Sequence, residues 1–192
     1  MPEEDQVKPE DPVRAGESSA SPLLGELKNW VRDIIFAALT AVLIVVFVIQ
    51  PVKVEGTSME PRLFDQERIF VNKFVYRIAD IHREDIVVFW YPKDPTKSFI
   101  KRVIGLPGEE VLIRDGIVYI NGEPLDEPYV PKQFFDPSSF GPVIVPANSY
   151  FVLGDHRNSS NDSRSWGFVP FQSIFGKAVL RYWPIAKFGL IE

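Results

Sequence analysis

The stretch EVLIRDGIVYINGEPL, Glu110–Leu125, decides what kind of fold this chain makes. A short apolar run leads into Asp115-Gly116, a second run follows, and Asn121-Gly122 ends it. Asp-Gly and Asn-Gly between apolar runs are strong hairpin signals, because both central residues of a tight type I′ turn need positive φ. The pattern continues on both sides. ERIFVNKFVY (Glu67–Tyr76), EDIVVFWY (Glu84–Tyr91), SFIKRVIG (Ser98–Gly105) and YFVLGD (Tyr150–Asp155) read as strands, and SIFGKAVLRYWPI (Ser173–Ile185) returns to strand character. Leu106-Pro107-Gly108 reads as a turn, and residues 126–146, rich in proline, read as loop. Seventeen prolines and twelve glycines among Val/Ile/Phe runs fit strands and turns better than helices. No internal repeat is visible.

Composition narrows the function classes. The chain has 192 residues and a net charge of −5, which gives no reason to expect nucleic-acid binding. It has no cysteine, so disulfides and thiolate metal sites are excluded, and its two histidines, His82 and His156, argue against a histidine-rich metal site. No metal and no cofactor are expected.

The N-terminal quarter differs in kind. Residues 1–21 are polar and acidic and are expected to form a disordered tail. Ser21-Pro22 could cap a helix carrying Leu23, Leu24 and Leu27. Ile34–Val52 is then nineteen residues without a charge, and at about 1.5 Å per residue a helix of that length nearly spans a hydrocarbon core of about 30 Å. Lys28, Trp30 and Arg32 suit an interfacial anchor at its start. A cleavable leader would have a shorter apolar run and a small-x-small site after it, whereas Gln-Pro-Val-Lys follows here. Residues 22–52 are therefore expected to form a membrane-anchor helix. Lys28 and Arg32 before the span and Lys53 and Arg62 after it barely decide its orientation. About 140 residues remain for one modest domain, 53–192.

Candidate chemistry begins just past that span, in VEGTSMEPRL (Val54–Leu63). A serine in a glycine-containing turn is usually structural and gains weight only if a base is near. Lys101 is one candidate. Alternation in SFIKRVI puts Phe99, Lys101 and Val103 on one face, so Lys101 points with apolar neighbours. Burial would lower its pKa and give a neutral amine able to take a hydroxyl proton. The competing reading is a lysine whose stem packs while its head reaches water. His156, beside Asp155, is the other candidate base, in a triad with Ser58. Against it, the glycine spacing of a nucleophile elbow is missing around Ser58, and His156 sits in a very polar loop. That loop, HRNSSNDSRSWG, holds Asp and Arg at spacings that can pair and stiffen it.

Taken together, three boxes carry a resemblance. GTSMEPRL after an apolar span, FIKRVIGLPGE, and LGDHRNSSNDSRSWGFVP, in that order, resemble the bacterial type I signal peptidase, or leader peptidase, family; EDIVVF resembles a fourth box. The likeness runs from about Val52 to about Arg181. It implies a mainly β fold: a single N-terminal transmembrane helix, then a catalytic domain of antiparallel sheets with a small inserted β-ribbon at about 114–147. It implies a membrane-anchored serine endopeptidase that removes signal peptides from secretory preproteins after small-x-small sites, through an acyl-enzyme. By the same resemblance Ser58 matches the nucleophile and Lys101 the general base of a Ser-Lys dyad. Ser160 matches the serine that orients the lysine, Asp162 and Arg164 a loop-bracing ion pair with Arg102 beside it, and Met59 the residue packed behind the nucleophile. At Gly56 the chain departs from the enterobacterial type, where a serine supplies an oxyanion donor, so a second donor beside the Ser58 N–H is left open. Position 156, often asparagine in the family, argues against His156 as a base. Val54, Gly56, Leu63, Phe99 and Ile100 are expected to line the substrate pockets, and Phe171, Trp183 and Phe188 are read as core rather than as membrane contacts. The implied partners are secretory preproteins and the lipid bilayer. The implied location is the bacterial inner membrane, single-pass, with the short N-terminus cytoplasmic and the catalytic domain on the outer face. Two rivals remain at this point: another Ser-Lys hydrolase, and a membrane-tethered β module that binds a partner without catalysis.

Overall fold

The computed structural model describes residues 22–191, so the acidic tail expected over residues 1–21 lies outside the described residues. The chain divides after Ala41 into two compact units. Helix α1 runs Pro22–Phe47, and large apolar side chains around its circumference are exposed, among them Trp30, Ile35, Phe36, Leu39 and Leu43.

The expectation of one helix through Val52 is corrected. α1 ends at Phe47, and Ile49–Lys53 forms strand β1. Pro51 has no N–H to continue a helix, and it biases Gln50 toward extended backbone. The uncharged helical part is thus Ile34–Phe47, fourteen residues or about 21 Å, with Lys28, Arg32 and Asp33 in the turns before it. Among the described residues no helix is long and apolar enough to cross a membrane.

From β1 onward the chain is mainly antiparallel sheet, as its sequence predicts. Strands follow at β2 (Arg68–Asn72), β3 (Ile86–Tyr91), β4 (Asp94–Gly105), β5 (Glu110–Arg114), β6 (Ile117–Ile120), β7 (Glu123–Pro124), β8 (Phe140–Ile144), β9 (Ser149–Leu153), β10 (Val169–Pro170), β11 (Ile174–Trp183) and β12 (Gly189–Leu190), with a four-residue helix α2 (Ser163–Trp166) before β10. The larger sheet has the order β1-β2-β11-β3-β4-β9-β10, with β12 on β11; the smaller has the order β7-β6-β5-β8. In the smaller sheet both predicted hairpin turns form, with φ of 49° and 78° at Asp115-Gly116 and 52° and 87° at Asn121-Gly122. The strands of the smaller sheet run from Glu110 to Ile144.

Local reading fails in two places. The strand expected to reach Tyr76 stops at Asn72, whose side-chain oxygen accepts from the Phe74 and Val75 N–H groups and turns the chain into a short 3-10 turn at Val75–Arg77. Inside the expected loop 126–146, residues Phe140–Ile144 form β8, because β5 offers them a distant partner.

Apolar packing positions the site. Val54, Met59 and Leu63 are buried with Ile69, Val71 and Val88, so the turn holding Ser58 is seated on its own core cluster. Full burial of each such side chain contributes about 1.5–3 kcal/mol. β4 lies between β3 and β9, and Val87 faces Lys101 in register while Leu153 faces Arg102. Phe99 and Val103 pack with Val87, Phe89, Val152 and Trp166, whereas Ile100 packs against the cluster under Ser58. Alternation along β4 therefore survives, but both faces of the strand are covered. Phe171, Trp183 and Phe188, read from sequence as core, are instead exposed.

Candidate active site

Two backbone hydrogen bonds, Val54 N–H to Glu67 O and Gln66 N–H to Val54 O, clip the segment after β1 onto the approach to β2. The chain then turns at Gly56, whose φ of +89° few other residues tolerate. Its N–H donates to Asp65 Oδ1 at 2.9 Å, which fixes the turn. Met59 and Leu63 plug into the core on the far side, and Leu63 N–H donates to Met59 O. Ser58 is left half-buried at the top of this knot.

Lys101 comes to it from the middle of β4. Its Nζ lies 2.6 Å from Ser58 Oγ and 3.1 Å from Ile100 O, and the residue is only 4 % exposed. Burial of the ammonium holds its pKa down to about 8 from an ordinary 10.5; the carboxylates of Asp162 and Asp155 act the other way and limit the fall. The reading of Lys101 as a lysine whose head reaches water does not fit this burial.

The polar loop braces the pair, and Arg102 has a partner of its own there. Arg102 points to the opposite face of β4 and does not join the Asp162–Arg164 pair. Its Nε and Nη2 bind Asp155 in a bidentate pair at 2.8 and 2.7 Å, with Arg102 2 % and Asp155 0 % exposed. Asp162 and Arg164 do pair: Arg164 Nε and Nη2 each lie 2.8 Å from an Asp162 oxygen. Asp162 Oδ2 also accepts from the Gly154 N–H, and Ser163 Oγ accepts from the Val152 N–H, which ties the loop back to β9. Arg157 is held by Glu127, in the loop after β7.

Three expectations need correction or restatement. Ser160, expected to hydrogen-bond Lys101, has a buried Oγ with no hydrogen-bond partner among the described residues, and it packs beside Gly154. Leu63, expected as a pocket wall, is 0 % exposed and belongs to the core beneath the serine. His156 does not meet the Ser58 hydroxyl; its Nδ1 lies 3.1 Å from Thr57 O and its backbone N–H donates to Ser58 O at 3.2 Å.

A groove of about 260 Å³ opens at Ser58 and Lys101. Val54, Gly56, Phe99 and Ile100 line it, together with Ser58 and Lys101. Met59, Ser98 and Asn161 also line it, and sequence reading does not mark them as walls. Sequence reading also misses the roles of Asp155, Asp65 and Gly154. Asp155 lies 53 positions from Arg102, and no local pattern links the two. Gly154 has ordinary φ; what demands glycine there is contact, since an added Cβ would lie 2.3 Å from Ser160 Oγ and 2.4 Å from Ser58 O.

A buried lysine amine within hydrogen-bond reach of a hydroxyl, at one side of a groove floored by apolar residues, can in its uncharged form deprotonate that hydroxyl for attack on a carbonyl. The family model described as signal peptidase, peptidase S26, matches residues 27–183. A probable signal peptidase I-2 of Synechocystis sp. is 42 % identical over 83 % of this chain and 75 % of its own length. A signal peptidase I of Leptolyngbya laminosa is 40 % identical over 96 % of this chain and 91 % of its own. A crystal structure of a signal peptidase I from Enterococcus faecalis V583 aligns with 36 % identity and a TM-score of 0.47, over 52 % of this chain and 97 % of that one. By the match over residues 27–183 and by relatives alike along most of its length, this chain belongs to the signal peptidase family, peptidase S26, a family of serine endopeptidases.

Proposed function

We propose that this chain removes signal peptides from secretory preproteins, with Ser58 as nucleophile and Lys101 as general base. The observation that carries the reading is the 2.6 Å approach of a buried, weakly basic amine to Ser58 Oγ. Neutral Lys101 accepts the Ser58 proton as Oγ attacks the scissile carbonyl. The resulting oxyanion is met by the Ser58 N–H. The ammonium of Lys101 then protonates the departing amine, and the acyl group stays on Oγ. Water, deprotonated by the same amine, releases it. The Asp162–Arg164 and Arg102–Asp155 pairs hold the loop beside the amine.

Substrate geometry supports the specificity proposed. A peptide lying extended along the Val54–Gly56 segment would present alternate side chains to the groove. Val54, Phe99 and Ile100 leave shallow space there, which suits small residues at the first and third positions before the cut.

The anchor belongs to this proposal as well. α1 has exposed apolar side chains and no described partner for them, and Lys28 and Arg32 can extend toward headgroups from its first turns. It is proposed to hold the enzyme in the bacterial inner membrane with the catalytic unit on the outer face, and exposed Phe171, Trp183 and Phe188 are proposed to add lipid contact. Ser58 follows Phe47 by eleven residues, which keeps it near the surface where a signal peptide's apolar core ends. The test is to incubate the detergent-solubilised full chain with a secretory precursor and map the cut by mass spectrometry. Cleavage after a small-x-small site, abolished by Ser58→Ala, is expected; a protein whose activity survives Ser58→Ala refutes the proposal.

A further inference from the structure

We infer that His156 is a positioning residue for the oxyanion cradle: it pins the carbonyl of the peptide unit whose N–H belongs to Ser58. The inference rests on the reading of Ser58 as nucleophile. Thr57 O accepts two hydrogen bonds, one from the Glu60 N–H at 3.0 Å and one from His156 Nδ1 at 3.1 Å. A carbonyl oxygen can only accept, so Nδ1 must carry a proton, which selects one tautomer of the neutral ring. The ring is itself held. It sits 4.0 Å from the Phe134 ring centre to centre, Glu60 lies 3.9 Å away, and its own backbone N–H donates to Ser58 O.

The consequence follows from the planarity of the peptide bond. In a trans peptide the C=O and N–H point in opposite directions, so fixing Thr57 O on the His156 side fixes the Ser58 N–H on the other. That N–H has no acceptor among the described residues. Ser58 lines the groove and His156 does not. Two bonds to the carbonyl also polarise the amide and make its N–H a better donor, which matters most when an oxyanion forms. Gly56 offers no side chain to the oxyanion, and its N–H is already taken by Asp65, so the burden on this one donor is greater.

His156→Leu keeps bulk against Phe134 but removes the donor. In a peptide-substrate assay with the full chain in detergent, we expect kcat to fall about ten- to a hundredfold, up to the loss seen on deleting an oxyanion donor, with KM within about threefold. A peptide aldehyde, which forms a tetrahedral adduct on the serine, should lose affinity in parallel with kcat, while the matching product peptide should bind unchanged. His156→Asn, whose side-chain amide can reach the same carbonyl, should restore kcat to within about threefold of the wild type. His156→Gln, which sets the amide one methylene out of place, should behave like the leucine variant and covers the case in which that variant does not fold. Full kcat in His156→Gln or His156→Leu, or equal weakening of aldehyde and product peptide, overturns the inference. Failure of the underlying reading looks different: there the wild type itself is inert, or Ser58→Ala is without effect.

Discussion

The substitution Lys101→Met should destroy activity and stabilise the fold, by an amount that depends on pH. The native pKa of about 8 lies about 2.5 units below the ordinary 10.5, and at about 1.36 kcal/mol per unit this is about 3 kcal/mol. Below pH 8 the lysine is charged in both folded and unfolded chains, so folding bears the whole cost of burying that charge. Between pH 8 and 10.5 the folded state has lost the proton while the unfolded state retains it, so wild-type stability climbs with pH. Above 10.5 both are neutral and the contribution is zero. A methionine at this position would avoid the cost at every pH but would forfeit the contact with Ser58 Oγ, worth about 1 kcal/mol. The net gain at pH 7 is then about 2 kcal/mol, a rise in Tm of about 4–8 °C for a domain of this size. At pH 9.5 wild type has regained about 2 kcal/mol, so the two melting curves should nearly coincide. Thermal melts of both proteins in detergent, followed by tryptophan fluorescence at pH 7 and 9.5, read this directly. A methionine variant that melts at or below wild type at pH 7, or a gap that does not change with pH, would mean that the ammonium is well solvated, and the case for a neutral base would fail.

Three further outcomes follow from the same geometry. Because the neutral amine is the reactive form, kcat/KM should fall about tenfold per unit below pH 8 and level off above it, read from a peptide-cleavage pH series. Gly154→Ala forces a methyl within 2.4 Å of the Ser58 carbonyl and should cut kcat at least about tenfold, whereas Gly189→Ala, with nothing within 4 Å, should leave it unchanged. Arg102→Ala strands the buried Asp155 carboxylate and should cost about 3–5 kcal/mol in urea unfolding, much of it recovered when Asp155→Leu is added.

The hairpins around Asp115-Gly116 and Asn121-Gly122 are legible in the sequence because their cause is local: two adjacent residues in positive φ fix the turn, and alternation fixes the faces. Lys101 is half legible. Alternation on β4 says which way it points, and only the three quoted boxes link it to Ser58. The end of α1 is misjudged when uncharged residues are counted without weighing Pro51. β8 escapes a local reading because its partner strand lies far away in the chain, with Ile113 facing Phe140. Ser160 and Leu63 go astray for one reason: resemblance names residues, while hydrogen bonds depend on rotamers and burial that only packing decides.

The adjacency of residues 101 and 102 on one strand has a consequence for how the protein can fail. Their side chains leave β4 on opposite sides, one toward a hydroxyl and one toward Asp155. If β4 paired one position out of step, either Arg102 or Ile100 would stand where Lys101 stands now. In the first register a guanidinium, never neutral at any physiological pH, faces Ser58, and in the second an aliphatic side chain does. Such a misthreaded molecule could be fully compact and yet chemically inert, so the strand pairing Val87↔Lys101 decides whether a folded copy is a working one.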